Sequence, residues 1–436
     1  MEQIAANPPL TAPVLTGRVC DYISSRGLQK LLALEKGVYE SLLDCDSTEI
    51  ITIQRVYRPF QTRNVQKNLD DLLDREYQVL LEFNYDRHDK LIPAVRRTIE
   101  VAPGRFEDHF YDGVRLCADG DGTRFVVSVC PGGTGYYATV RAPSRDVAVA
   151  RELLARLDHA IRAGSIYRGQ KIRINGDFLK LAPRTWSDVH VDPRAMEEIR
   201  KNVVFPIENA NRLRQCGIPT SRGVLLEGPP GTGKSLIGSI LASTVSCTFL
   251  LVTPQDLERA SDVKYIYDIA RELAPTIVLL EDLDLFAEDR TPSSHFRNFM
   301  GELLNQLDGV ETKEAIVTIA TTNRPYALDK ALVDRPGRFD RRILIDLPDR
   351  ERRESILRTA IASRNLRTAE DLLLSEVAAA TENFSGAHLH DLVQTVAFDL
   401  LVEGNGGPLP PLTMAHFRAA LEHVRGYKAQ CKEMYV

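Results

Sequence analysis

Two short stretches carry the side chains best suited to phosphate chemistry. The first, GPPGTGKS at Gly228 to Ser235, sets three glycines, a lysine and a hydroxyl residue into eight positions. Glycines at this spacing let successive backbone N–H groups turn toward one anion, and the N-terminus of a following helix adds partial positive charge. In such a loop Lys234 reaches the β- and γ-phosphates of a nucleotide, and the Ser235 hydroxyl is placed to ligate Mg²⁺. Pro229, Pro230, Gly231, Thr232 and Gly233 form the body of the loop, and Leu236 is the next position of the same nucleotide-binding set. A bare glycine turn with a surface lysine would leave eight matching positions and their strand-to-helix context unexplained. The second stretch, IVLLEDLDLF at 277–286, is an apolar run that ends in Glu281, Asp282 and Asp284. One carboxylate there would serve the Mg²⁺ side and another would activate water. Which does which, and whether all three merely cap the strand, the residues alone leave open.

Five short apolar runs must position these groups: GVLLE (223–227), TFLLV (248–252), TIVLLE (276–281), AIVTIAT (315–321) and RILIDL (342–347). Helical stretches separate them, which predicts an α/β fold with a mainly parallel sheet. A helical region follows from about Arg350, interrupted by GNGGPLPP at 404–411. Ahead of the sheet, GLQKLLALEKGVYESLLD (27–44) places Leu31, Leu34, Val38 and Leu42 on one helical stripe. TRFVVSVC, PGGTG and YYATVRA read as strand, tight turn and strand, and 146–164 as a closing amphipathic helix. The predicted organisation is an N-terminal α+β domain over 1–165, a linker over 166–185 and a large α/β subdomain over 186–348. A helical lid over 349–427 and a tail over 428–436 complete it.

At 436 residues the chain exceeds what one hydrophobic core supports. With 44% hydrophobic and 26% charged residues and a net charge of −5, neither bulk disorder nor a basic nucleic-acid face is indicated. No apolar run reaches the ~18 residues a membrane span needs, and the first residues lack a signal-peptide pattern. A cytoplasmic protein without membrane or nucleic-acid partners is expected. The seven cysteines (Cys20, Cys45, Cys117, Cys130, Cys216, Cys247, Cys431) form no CxxC pair and read as reduced and incidental. His88, Asp89 and His109 could converge on a metal, although isolated histidines usually do not.

Over about residues 185–426 the sequence resembles the AAA subgroup of the AAA+ ATPases. WSDVHVDPRAMEEIRKNVVFPI is similar to the approach to the ATPase core, GIPTSRGVLLEGPPGTGKS to its phosphate loop, and LNQLDGV, ATTNRP and DRPGRFDRRI follow in the family's order. The resemblance implies a P-loop NTPase module with a C-terminal helical lid, hydrolysing ATP with Mg²⁺. It implies that Asn323 is the sensor that orients the lytic water, and that Arg335 and Arg338 are arginine fingers given to a neighbouring subunit. A guanidinium beside a transferring phosphoryl group stabilises transition-state charge, so a homo-oligomeric ring, most simply a hexamer, is implied. Gly386 and Ala387 resemble the start of the lid helix, with His388 where the family usually has an acid. Val189 and His190 stand where the family's backbone meets adenine. In the family register Glu281 holds the Mg²⁺ side and Asp282 is the general base; the reverse assignment is the alternative.

Two departures from the family bear on mechanism. The family usually writes Asp then Glu where this chain has Glu281 then Asp282, an order shared with the mitochondrial ATPase that assembles respiratory complex III. The stretch 257–271, LERASDVKYIYDIAR, holds no aromatic-x-Gly, and the spacing of Tyr265 and Tyr267 suits a packed helix better than a pore loop. The last residues, Met434, Tyr435 and Val436, resemble the tail by which proteasomal ATPases dock into a 20S core. An ATP-driven remodeller of a protein bound by the N-terminal domain is the leading expectation. A nucleotide-gated scaffold with slow turnover and a proteasome activator are the alternatives.

Overall fold

A computed structural model of the chain describes residues 37–85, 91–133, 135–257, 260–285, 294–308, 314–324, 339, 341–403 and 410–422. The chain divides into two compact units, one of Met1–Arg168 with Asn175–Phe178 and one of Gly169–Ile174 with Leu179–Val436. Residues 27–36 of the expected first helix, His88 and Asp89, Arg335 and Arg338, and Met434 to Val436 lie outside the described residues.

In the first unit, strands β1 (Ile50–Tyr57), β2 (Gln78–Tyr85), β3 (Leu91–Ile92), β4 (Val95–Ala102), β5 (Arg105–Ala118), β6 (Arg124–Gly132) and β7 (Gly135–Pro143) form one antiparallel sheet. Its order is β1-β7-β6-β5-β2-β3, with β4 on β5. Successive residues of a strand face opposite sides, and the β6 stretch RFVVSV uses both. Val127 and Val129 pack with Val65, Leu69 and Leu73 of helix α2 (Thr62–Glu76) and with Leu153 and Leu157 of α3 (Val147–Ala163). Val126 packs on the other side with Val38 and Leu42 of α1 (Gly37–Leu43). At Gly113 β5 changes neighbours: residues 113–118 pair with β6, residues 105–112 with β4. A Cβ at Gly113, whose φ is +145°, would lie 2.7 Å from the Phe83 carbonyl oxygen.

A charge network crosses this unit. Arg115, 1% exposed, donates to Asp70 at 2.6 Å and to Glu82 at 2.7 Å. His109 uses both ring nitrogens, toward Asp70 at 3.0 Å and Glu107 at 3.1 Å. Carboxylates on both sides satisfy the buried His109, and His88 and Asp89 lie outside the described residues.

The second unit is built on a six-stranded parallel sheet in the order β13-β9-β12-β11-β10-β8. Its strands are β8 (Lys171–Arg173), β9 (Arg222–Glu227), β10 (Thr248–Val252), β11 (Thr276–Leu280), β12 (Ile316–Thr322) and β13 (Arg341–Leu344). Parallel sheets are covered on both faces, and accordingly β11 and β12 are buried along their whole length. The five expected strands are all present. The sixth, β8, lies in the stretch read as a connector; three residues with one buried side chain leave too little periodicity to see, and pairing with β10 supplies the stability.

Helices α4 (Lys234–Thr244), α5 (Ala260–Glu272) and α6 (Ser294–Asp308) connect these strands. On α5, Ile266, Tyr267, Ile269 and Ala270 are all buried, and the Tyr267 hydroxyl lies 2.8 Å from Thr318 Oγ1 on β12. A separate cluster is formed by α7 (Arg350–Ala362), α8 (Leu374–Ala380) and α9 (Gly386–Glu403), with Leu357, Val377, Leu392 and Phe417 at its centre. No described helix is long and apolar enough to cross a membrane.

Candidate active site

The loops at the carboxyl ends of β9, β11 and β12 meet at one place, because the chain leaves β9, returns through β10 and β11 to β12 beside it, and then places β13 on its other edge. Open parallel sheets bind ligands outside strand carboxyl ends at such a reversal.

The loop after β9 is shaped by glycine. Gly228, Gly231 and Gly233 have φ of +151°, +73° and +108°, conformations that side chains disfavour. Space is also closed to a side chain: a Cβ at Gly228 would lie 2.1 Å from the Ile345 carbonyl oxygen, and one at Gly231 would lie 2.7 Å from Ser385 Oγ. The loop ends at Lys234, the first residue of α4. The buried Lys234 ammonium donates to the carbonyls of Gly228 and Pro229, each at 2.8 Å, and Thr232 Oγ1 donates to Pro229 at 2.9 Å. Burial lowers the Lys234 pKa, while Asp282 and Asp284 pull it back up. Ser235 is exposed on the first turn of α4, with Leu236 half-buried beside it.

The three acids after β11 are held differently. Glu281 donates its backbone N–H to Val252 of β10 at 3.0 Å, and its side chain makes no hydrogen bond or ion pair among the described residues. Asp282 turns the other way, with its N–H on Thr321 Oγ1 at 2.9 Å and its Oδ1 accepting from Asn323 Nδ2 at 3.3 Å. Its φ is +49°, a left-handed conformation that Asp and Asn adopt more readily than other side chains. Asp284, 3% exposed, accepts the Asn323 backbone N–H at 3.1 Å. Asp282, Asn323 and Lys234 therefore share one corner. Thr321 was not visible as a site residue from sequence, since a threonine in a buried β-forming run reads as strand.

The lid closes onto the loop. The Ala387 N–H donates to the Gly231 carbonyl at 3.0 Å. His388 does the work of a helix cap: its Nδ1 accepts the Ser385 N–H at 3.2 Å, reciprocated weakly by Ser385 Oγ and the His388 N–H at 3.4 Å. This is the capping-box pattern with imidazole in place of a carboxylate. Val189 is buried 3.4 Å from where a Gly233 Cβ would stand, and His190 Nε2 lies 2.8 Å from Thr359 Oγ1 on α7. Burial lowers the His190 pKa, against the opposing pull of Asp188.

These residues fit ATP with Mg²⁺. A glycine cradle closed to a Cβ at Gly228 and Gly231, a buried lysine at a helix start and carboxylates beside it are the donor set a triphosphate requires. The loop and Lys234 would hold the phosphates. Ser235 and one of the acids would hold the ion, which when bound neutralises charge on the phosphate oxygens.

Residues 224–347 match the model of the family described as "ATPase family associated with various cellular activities (AAA)". Among similar proteins, the proteasome-activating nucleotidase of Methanocaldococcus jannaschii is 34% identical over 250 residues, covering 55% of this chain and 56% of that protein. The 26S proteasome regulatory subunit 6A of Saccharomyces cerevisiae is 36% identical over 233 residues, 51% of this chain and 52% of its own. Protein CdcH of Halobacterium salinarum is 33% identical over 257 residues, 57% of this chain and 34% of its own. The chain thus spans between a third and just over half of these relatives.

Proposed function

We propose, from the match of residues 224–347 to the AAA family model and the fit of the phosphate loop to ATP with Mg²⁺, that the chain is an ATP-hydrolysing ring protein that remodels a protein bound by its N-terminal unit. The observation that carries the reading is the Asn323 to Asp282 hydrogen bond beside the phosphate loop. In this proposal Asp282 is the general base, Asn323 orients the water, Glu281 and Ser235 serve the Mg²⁺ side, and Val189, His190, Gly386 and Ala387 line the nucleotide. Arg335 and Arg338 are the fingers given to the next subunit of a cytoplasmic homo-oligomer, most simply a hexamer.

Steady-state hydrolysis measured against protein concentration, alongside particle mass, tests this reading. Turnover per subunit should rise as rings form. Arg338→Ala should keep nucleotide binding and abolish turnover, and normal hydrolysis by an Arg338→Ala ring would remove the trans-finger assignment.

A second reading, a nucleotide-gated scaffold with slow turnover, is favoured by the Asp282 side chain, one methylene shorter than the family's glutamate. Ring formation with almost no hydrolysis would establish it. A third rests on the relatives named for proteasome work and on the tail Met434, Tyr435, Val436. Deleting these three residues should abolish stimulation of a 20S core, and unchanged stimulation, or none at the outset, sinks that reading.

A further inference from the structure

The parallel ladder between β11 and β12 breaks where the acids begin. The Thr276 N–H donates to the Ala315 carbonyl at 2.9 Å, and the strands stay in register from Thr276 opposite Ile316 to Leu280 opposite Ala320. A strand returns to the same neighbour every second residue, so this register extended to Asp282 would take its N–H to the Thr321 carbonyl. Instead that carbonyl accepts from the Leu283 N–H, one residue late, at 2.8 Å. The displaced Asp282 N–H is caught by the Thr321 side chain, whose Oγ1 accepts it at 2.9 Å. One extra residue has entered on the β11 side, a bulge, and Asp282 with its φ of +49° sits at it.

The same step displaces a second donor. In an unbroken ladder the Asn323 N–H would meet the Asp282 carbonyl. Here that carbonyl accepts from the Leu285 N–H at 2.9 Å, and the Asn323 N–H goes to Asp284 Oδ1 at 3.1 Å. Side chains thus meet both displaced donors, Thr321 from one strand and Asp284 from the other. Glu281 precedes the break, with its N–H still on Val252 of β10.

A bulge beside a site re-aims a side chain, and the one turned here is the Asp282 carboxylate, which accepts from Asn323 Nδ2 at 3.3 Å. Thr321 is 1% exposed, so bulk water is a poor substitute for its hydroxyl. The other threonines nearby on β12 are engaged elsewhere, Thr318 with Tyr267 and Thr322 with the Arg324 N–H. Without the Thr321 hydroxyl, the Asp282 N–H regains an acceptor within the sheet only if the chain slips back into the unbroken ladder. A slip of one residue changes the face to which side chains point, which takes the carboxylate away from Asn323.

We propose that Thr321 is a positioning residue for ATP hydrolysis, whose hydroxyl holds the bulge that sets the Asp282 carboxylate against Asn323. This deepens the proposed function and rests on its assignment of Asp282 as general base.

The test is steady-state ATP hydrolysis by the full chain, read as release of labelled phosphate. The variants are Thr321→Val, Thr321→Ser, Asp282→Asn and the double variant of Thr321→Val with Asp282→Asn. Thr321→Val keeps the shape and removes the hydroxyl. It should lower kcat about tenfold or more with the KM for Mg·ATP within about twofold of wild type, since misplacement by about 1 Å can cost on the order of 100-fold. Thr321→Ser should recover most of the loss. In the Asp282→Asn background, Thr321→Val should cost less than about twofold further, because its effect passes through a carboxylate already removed. Melting temperatures check folding, and Thr321→Ala takes the place of Thr321→Val if the valine variant does not fold. Normal turnover by Thr321→Val, equal loss in Thr321→Ser, a loss confined to KM, or an undiminished further loss in the double variant overturns the proposal. Slow Asp282→Asn with normal Thr321→Val fails this proposal alone. Asp282→Asn at the wild-type rate, or no hydrolysis by the wild type, removes the general-base assignment and this proposal with it.

Discussion

Asn323 Nδ2 and Asp282 Oδ1 lie 3.3 Å apart, joining the ends of two neighbouring parallel strands beside Lys234. The Asp282→Asn and Glu281→Gln variants separate the two acids. Asparagine tolerates the left-handed backbone at this position, so Asp282→Asn should fold, bind Mg·ATP and lose about 100-fold or more in turnover. Glu281→Gln should instead raise the Mg²⁺ concentration needed for half-maximal rate. The reverse pattern in the two variants would exchange their roles.

Lys234→Ala removes the ammonium that spans the Gly228 and Pro229 carbonyls. Nucleotide affinity should fall at least about tenfold, as read by titration calorimetry, since a charge-assisted contact to phosphate is worth roughly 1.5–3 kcal/mol. Unaltered affinity would mean that the lysine stays on the loop carbonyls when nucleotide binds.

Gly228→Ala meets two obstacles at once, a φ of +151° and a backbone oxygen 2.1 Å from the new methyl. Strain at such positions costs about 1–3 kcal/mol before any clash, so a clear drop in melting temperature should accompany loss of ATP binding. A stable Gly228→Ala protein would contradict the close passage of Ile345.

Tyr267 is buried against β12 through Thr318. Tyr267→Ala should destabilise by about 3 kcal/mol or more, visible in denaturant unfolding. A pore residue would behave differently, with substrate processing lost and stability kept.

His109 gives the N-terminal unit a pH signature. Burial works to lower its pKa, but Asp70 and Glu107 outweigh burial and hold it above the ordinary value of 6.5. A raised folded value means tighter protonation in the folded state. The stabilisation is therefore complete below about pH 6.5 and disappears as pH rises through the folded value. The melting-temperature gap between the wild type and His109→Gln should be widest near pH 6 and shrink toward pH 9. A gap that does not change with pH would show that the imidazolium charge contributes nothing.

The parallel sheet was legible because each of its longer strands is a continuous apolar run, and the phosphate loop because glycine spacing has few other uses. Lys171–Arg173 was not legible: its strand exists through β10, not through its own pattern. Asp282 shows a different limit, since residue order displays the exchange with Glu281 but not the left-handed backbone that suits aspartate there. For His388, the sequence shows a missing acid, while only the fold shows an imidazole taking over the cap. The N-terminal sheet order escaped prediction for the usual reason that antiparallel partners far apart in sequence leave no local mark.

The hydrogen bond from Ala387 to Gly231 joins the phosphate loop to the first turn of an 18-residue helix. At 1.5 Å per residue that helix is about 27 Å long, so a tilt of about 5° at the loop moves its far end by roughly 2 Å. At that end stand Phe398, Leu401 and Val402, which are 64%, 43% and 60% exposed. A tilt about that hydrogen bond would have its short arm on the phosphate loop, and at its long arm an apolar surface would move far enough to make or break side-chain packing.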